Sequence, residues 1–470
     1  MANRASNAFL RYRNIRSFVL GLPCRQTQPM ATCMKPSKVK YKFVEEVECL
    51  DYYVPGGYHP VMIGDELCMG RYVIAHKLGF GRSATTWLAE DRRQSRLVAL
   101  KISTAESAER TQELQILLQL AKAKTRSKLP GKTIIQNLLD SFTLSGPNGT
   151  HQCLVMDAAR ISIHEAKDAA YHRLLHLPAA RAIASQLILG LQFIHSQGIV
   201  HGGFNLNMAA DLHLANILLH FPFDMTLEQL HVRTGKPAKE QVVREDSAPL
   251  DPEVPSEVIV PVWLGLGSDE ISLTDSAIMI ADFGEAFDPQ VTPQCVSHTP
   301  LLLAPPESHF AEPLSFPGDI WTLACTIWDV FGSGPPFEAF PVTLDKVTIE
   351  HVEMLGKLPD RWWSKWEKRS NWFDEDGHKN VKEILHQWYG NSIRNWTQRF
   401  TDYIQHPRKR NRFDTFSVEE EKAFCDMIKS MLVFEPSKRA TIEDVVECEW
   451  MQRWGLPEVQ RMWKMTPKSS

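Results

Sequence analysis

Residues 72–102 read YVIAHKLGFGRSATTWLAEDRRQSRLVALKI, and the fold turns on them. Two apolar runs, Tyr72 to Leu78 and Thr85 to Ala89, flank a turn containing Gly79 and Gly81, which predicts a hairpin. A third run, Leu97 to Ile102, alternates: Val98, Leu100 and Ile102 point to one side of a strand, Ala99 and Lys101 to the other. A lysine is thereby displayed beside a small residue. Downstream the period changes, with Leu114, Leu117 and Leu118 recurring on one helical face and Ile183, Leu187, Leu191 and Ile194 on another. Strands first and helices after predict an α+β chain with a small sheet-rich lobe and a larger helical one, rather than alternating βαβ units.

Of the 470 residues, 43% are hydrophobic and 23% charged, the composition of a globular protein able to bury a large core. No run approaches the roughly 20 consecutive apolar residues of a membrane span, so no membrane partner is expected. The nine cysteines are scattered singly and odd in number, which argues against a disulfide framework or zinc site and for a reducing compartment. The net charge of −4 predicts no direct nucleic-acid binding. Every charged residue before Glu45 is basic, a composition shared by mitochondrial transit peptides and by solvated basic tails; the tail is the preferred reading. From Asn216 to Asp282 six prolines interrupt the pattern, which predicts an irregular insertion rather than a domain. A second polar segment, Trp362 to Arg412, reads as a surface subdomain with one buried face.

Chemistry concentrates in four places. In Leu78-Gly79-Phe80-Gly81-Arg82-Ser83-Ala84, two glycines let backbone N–H groups approach phosphates closely, although such turns also occur in hairpins without ligands. Val98-Ala99-Leu100-Lys101 resembles the V-A-I-K strand of kinases, and the resemblance implies a phosphate-holding lysine with Glu113 on the next helix as its partner and Glu109 in reserve. In Ile280-Ala281-Asp282-Phe283-Gly284 an aspartate follows an apolar strand, a hard oxygen ligand for Mg²⁺ at a strand end. Asp211 and Asn216 lie five apart. Taken singly, each is more often a solvated charge or an ordinary turn; their order along one chain lifts them above that.

These stretches resemble the protein kinases: the glycine loop (with Ala84 for its third glycine), the V-A-I-K strand, D-F-G at Asp282-Phe283-Gly284, A-P-E at Ala304 to Glu307, D-x-W-x-L at Asp319 to Leu323 and P-x-x-R-x-T at Pro436 to Thr441. Trp87, the long insertion before D-F-G and Tyr52-Tyr53-Val54-Pro55-Gly56-Gly57-Tyr58-His59-Pro60-Val61 narrow the resemblance to the SR-protein kinases, in a divergent fungal-looking form. It implies a two-lobed kinase fold: a basic extension and lead-in at 1–71, a kinase domain at 72–454 (lobes 72–157 and 158–454, insertion about 220–278) and a tail at 455–470. It also implies a Ser/Thr kinase using ATP and Mg²⁺. Leu78, Gly79, Phe80, Gly81, Ala84, Ala99, Lys101, Glu113 and Met156 would bind ATP, Asn216 and Asp282 the metal, and Asp211, Lys101 and His213 would act in catalysis. Partners implied are basic, Arg/Ser-rich protein substrates; a monomer in cytoplasm and nucleus is expected, with the mitochondrion as the alternative.

The pattern breaks at the catalytic loop. H-R-D-L-x-x-x-N should place the aspartate two residues after the histidine, but Gly203 to Ala210 intervene between His201-Gly202 and Asp211, an excess of eight. Three consequences follow. A pseudokinase that binds nucleotide without transfer is one alternative, and a small-molecule phosphotransferase a more distant one, since without the excess the loop would read H-G-D-L-H-L-A-N, which resembles aminoglycoside and choline kinases. Gly202 replaces the arginine that would bind an activation-loop phosphate, so activation by phosphorylation there is not expected. His213 stands for the lysine beside the phosphates, carrying its charge only when protonated. Glu350, Glu353 and Asp360 are candidates for an acidic docking groove, or else ordinary solvated helix charges.

Overall fold

A computed structural model describes residues 34–202, 214–221, 225–295, 297, 299–385 and 394–465. Strands β1 (Glu66–Leu67), β2 (Tyr72–Gly81), β3 (Ala84–Asp91) and β4 (Arg96–Ser103) run first. Helices α1 (Ala105–Ala108) and α2 (Glu113–Lys124) follow, then β5 (Leu138–Gly146) and β6 (Gly149–Asp157). They form one antiparallel sheet in the order β1-β2-β3-β4-β6-β5. The β2–β3 hairpin forms as its pattern requires, but the ladder runs on to a Gly81–Ala84 pair, so Gly79 and Gly81 are strand residues and Arg82-Ser83 makes the turn. On β4 the alternation holds: Val98, Leu100 and Ile102 are buried with Trp87 on one face, while Ala99 and Lys101 look the other way.

The face of α2 differs from the reading above. Glu113, Ile116, Leu117 and Leu120 are buried and Leu118 is 48% exposed. The buried set is the i, i+3, i+4, i+7 stripe that starts at the glutamate, and Leu118 falls one step around the helix from it.

Next come β7 (Ala159–Ser162), α3 (Ile163–Ala169), α4 (Leu177–Ser196) and β8 (Ile217–His220). The 20 residues of α4 are long and apolar enough to span a bilayer by length and composition alone (mean hydropathy 1.4), contrary to the reading that no stretch comes close. The helix is instead core: 83% of that window is buried, with Ile183, Leu187, Leu191 and Ile194 inside as their spacing predicts. The insertion is more regular than its prolines suggest. It carries α5 (Leu227–Thr234), started by a Thr226–Gln229 capping box, and a β9 (Lys239–Gln241)–β10 (Glu257–Ile259) ladder, before β11 (Ile278–Ile280) joins β8 and β7 in a second sheet.

That insertion and the lead-in segment cover the outer face of the large sheet. Val61 and Leu67 from one and Ile259 from the other close over Tyr72, Ile74, Trp87, Val98, Leu100 and Ile102. Beyond them Tyr41, Leu50, Tyr53 and Tyr58 pack with Val242, Val254 and Val258, in a small core that neither segment completes alone.

The helical lobe is organised on α7 (Phe316–Phe331), buried without a break from Gly318 to Phe331. Ahead of it stands α6 (Pro306–His309); around it lie α8 (Leu344–Leu355), α9 (Asp360–Trp363), α10 (Trp396–Phe400), α11 (His406–Arg410), α12 (Val418–Met431), α13 (Ile442–Glu447) and α14 (Leu456–Met465). Glu307 and Arg439 meet in a fully buried two-bond pair at 2.9 and 3.0 Å, which holds α6 against the chain ahead of α13. Trp362, Trp363 and Trp366 are all buried, the inner face of their segment.

Glu350 and Glu353 do not form an open acidic surface. Glu350 takes Arg394 and the wholly buried Arg399 at 2.7 Å each, and Glu353 takes Lys379 at 2.5 Å. A buried guanidinium requires such partners, so these carboxylates are spent on the fold. Asp360 is exposed, 3.3 Å from Lys357. Cys295 is disulfide-bonded, a departure from the scattered-thiol reading, while Cys49, Cys68, Cys153, Cys325, Cys425 and Cys448 are free.

Candidate active site

Lys101 reaches from β4 into the cleft and is held from two directions. Its Nζ lies 2.8 Å from both carboxylate oxygens of Glu113 and 3.0 Å from Asp282 Oδ1. Glu113 is the first residue of α2, whose apolar stripe docks on the core and fixes its side chain. Glu109 follows α1 as its cap, is exposed, and takes no part. Burial works against the charge on Lys101, but Asp282 and Glu113 outweigh it and raise its pKa. For Asp282, burial pushes upward and the Lys101 charge and hydrogen bond pull harder, leaving the carboxyl below its ordinary value. Glu113 moves the other way, raised by burial against the opposing pull of Lys101, with the Asp282 charge adding to the rise.

Asn216 and Asp282 flank adjacent strands, one just before β8 and the other just past β11. Ile217 on β8 pairs with Ile280 on β11, the Ala281 N–H donates to the Asn216 carbonyl at 3.0 Å, and Asn216 Nδ2 sits 3.4 Å from Asp282 Oδ2. Asp282 has φ +58, a left-handed backbone uncommon outside glycine and typical of functional turns. Its carboxylate is still 37% exposed, so a hard oxygen donor faces the cleft beside an amide oxygen, a donor pair that fits Mg²⁺.

Behind Asp282, Phe283 is buried with its ring 4.9 Å from that of His201. Asp319, near the start of α7, accepts the backbone N–H groups of His201 at 2.7 Å and Gly202 at 3.1 Å, and takes His195 Nε2 at 3.0 Å. The stem of the catalytic loop is therefore clamped from below. Gly202 has φ +82, and a Cβ there would lie 2.4 Å from the Glu285 carbonyl oxygen, so this backbone leaves no room for the arginine of the usual pattern. Asp211, His213 and the excess Gly203 to Ala210 lie outside the described residues.

The walls of the cleft follow from strand alternation. Ala84, Ala99 and Met156 are buried, Leu78 and Gly79 half-buried, and Phe80 and Gly81 exposed at the hairpin end. Two residues escaped the sequence reading. Ile217 and Leu219 on β8 belong to the helical-lobe core, so Leu218 between them faces the opposite way, and Ala281 immediately precedes Asp282. The period of two on β8, once its ends are known, would have found Leu218.

Residues 72–225 match the protein kinase domain family. A serine/threonine protein kinase of Aspergillus fumigatus is 24% identical over 86% of this chain and 90% of its own length. The serine/threonine-protein kinase SRPK of Physarum polycephalum is 25% identical over 87% of this chain and 92% of its own. Protein kinase dsk1 of Schizosaccharomyces pombe reaches 38%, over 35% of this chain and 30% of its own. With a lysine, a helix glutamate and a strand-end aspartate gathered in one cleft, and with relatives of this kind along most of its length, the chain is a serine/threonine protein kinase similar to the SR-protein kinases.

Proposed function

We propose that this cleft binds ATP with Mg²⁺ and transfers the γ-phosphate to serines or threonines of basic, Arg/Ser-rich protein substrates. The observation that carries the reading is the grip of Glu113 and Asp282 on one Lys101 ammonium, which fixes a cation where α- and β-phosphates would lie. The hairpin from Gly79 to Ala84 offers backbone N–H groups above, and Leu78, Ala99, Met156 and Leu218 provide apolar surface for the base. Asp282 and Asn216 supply oxygens for Mg²⁺, whose contribution when bound is to neutralise charge on the β- and γ-phosphates. Asp211 orients the substrate hydroxyl and accepts its proton. His213, when protonated, donates charge to the phosphates in place of the usual lysine. Most of the rate then comes from positioning and fixed electrostatics.

Arg/Ser-rich substrates are suggested by relatives such as human SRSF protein kinase 3, 34% identical over 37% of this chain. With Glu350 and Glu353 committed to Arg394, Arg399 and Lys379, recognition of arginines falls to other residues. A monomer in cytoplasm and nucleus completes the proposal.

The test uses radiolabelled ATP and an Arg/Ser peptide with the full chain, an Asp211→Ala variant and a deletion of Gly203 to Ala210. Displacing a catalytic group by about 1 Å costs on the order of a hundredfold, so the deletion is expected to transfer faster than the full chain, and Asp211→Ala to fall to background. Activity that survives Asp211→Ala overturns its assignment. Thermal stabilisation by ATP and Mg²⁺ with no transfer by the full chain or the deletion would leave only a nucleotide-binding module.

A further inference from the structure

The glycine hairpin is fixed from behind, by the lead-in segment. Around Gly79 and Gly81 nothing approaches within 4 Å of where a Cβ would stand, and the β2–β3 ladder is irregular between Lys77 and Gly79. What steadies the hairpin comes from other parts of the chain. The Thr104 N–H donates to the Ser83 carbonyl at 2.7 Å. The Tyr58 hydroxyl donates to the Gly81 carbonyl at 2.9 Å. Two residues before Gly79, the wholly buried Lys77 ammonium is paired with Glu48, whose other oxygen accepts the Tyr53 hydroxyl. Lys77 also lies over the rings of Phe80 and Trp87, 5.4 and 5.3 Å from their centroids, and so ties the exposed end of β2 to its partner strand.

The lead-in is itself held at a distance from the cleft. The Gly56 N–H donates to the Asn148 carbonyl at 2.7 Å, the Asn148 side chain donates to the Tyr58 carbonyl at 2.7 Å, and Ala105 and Glu106 donate to the Gly57 and Gly56 carbonyls. Gly57 tolerates no side chain, since a Cβ would fall 1.9 Å from the Tyr52 carbonyl oxygen. Tyr58, 5% exposed, therefore has a fixed base from which to reach Gly81.

We infer that Tyr58 and Glu48 are positioning residues for the nucleotide phosphates, acting through the Gly81 carbonyl and through Lys77. Fixed N–H donors stabilise developing charge only if they are held before the phosphates arrive. Both residues act on the hairpin from behind, through Gly81 and Lys77, so the effect belongs to the phosphates and not to the base. The inference rests on reading the cleft as an ATP site.

In the full chain, binding of ATP with Mg²⁺ and of adenosine is measured by calorimetry, together with the thermal midpoint, for wild type and Tyr58→Phe. Loss of one hydrogen bond is expected to raise the ATP Kd roughly two- to tenfold, with adenosine affinity and midpoint unchanged. The double replacement Glu48→Gln with Lys77→Met, which leaves no unpaired buried charge, is expected to show the same split. ATP affinity untouched in both variants, or ATP and adenosine weakened equally, overturns the inference while the nucleotide site stands. A wild type that binds neither ligand overturns the site and the inference together.

Discussion

Lys77 and Lys101 stand on β2 and β4 of one sheet, each bonded to a glutamate from outside it, and their surroundings push them in opposite directions. Lys77 is wholly buried against Glu48 on the covered outer face, and burial lowers its pKa even though Glu48 opposes the change. Lys101 keeps 16% of its side chain exposed, has two carboxylates rather than one, and its pKa is raised. The single partner at Lys77 neutralises it and seals it in. The second carboxylate at Lys101 leaves surplus negative charge in the cleft, where a metal can take it. A lysine with one partner and no solvent holds structure; a lysine with two and an open side is equipped to hold a phosphate.

Exchanging either lysine for methionine separates the two. Lys101→Met is expected to lower phosphate transfer about a thousandfold while the thermal midpoint barely moves, because a cleft lysine contributes charge to the reaction and little to packing. Assayed transfer near the wild-type rate would remove Lys101 from the site. Lys77→Met acts first on stability: Glu48 is left buried without its cation, which costs about 3–5 kcal/mol in denaturant unfolding. If that variant is as stable as wild type, the outer face is not sealed and the contrast between the two lysines fails.

The cleft is legible in the sequence because its residues carry chemistry in short motifs whose order is itself informative; the fold brings Lys101, Glu113, Asn216 and Asp282 together. The lead-in is legible only as a resemblance. Its physical reason, a glycine that fits where nothing else does and a tyrosine reaching Gly81, needs the folded chain. The insertion misleads because its elements are short: α5 has eight residues and β9 three, too few to show a period, and their apolar partners lie in distant parts of the chain. Glu350 misleads for a related reason. A helix glutamate looks solvated until Arg399 is found buried against it.

His76, next to Lys77 on β2, extends the comparison to a buried base whose ring faces another histidine rather than a carboxylate. It is 3% exposed, with its ring 6.0 Å from that of His231 on α5, and burial, with the His231 charge adding to it, lowers its pKa from 6.5 to about 4. Its folded pKa lies below its unfolded one, so as pH falls the unfolded chain takes up the proton first. Stability is full above about pH 6.5 and is lost progressively toward pH 4, amounting at pH 5 to about 2 kcal/mol from this residue. His59 and His309, also lowered to about 4, add to the slope in the same window, so no one substitution abolishes it. Thermal midpoints measured from pH 7 to pH 5 are expected to fall less for His76→Gln than for wild type. Parallel curves would mean that His76 is protonated in the folded state, and that this strand accommodates an uncompensated charge as readily as the paired one beside it.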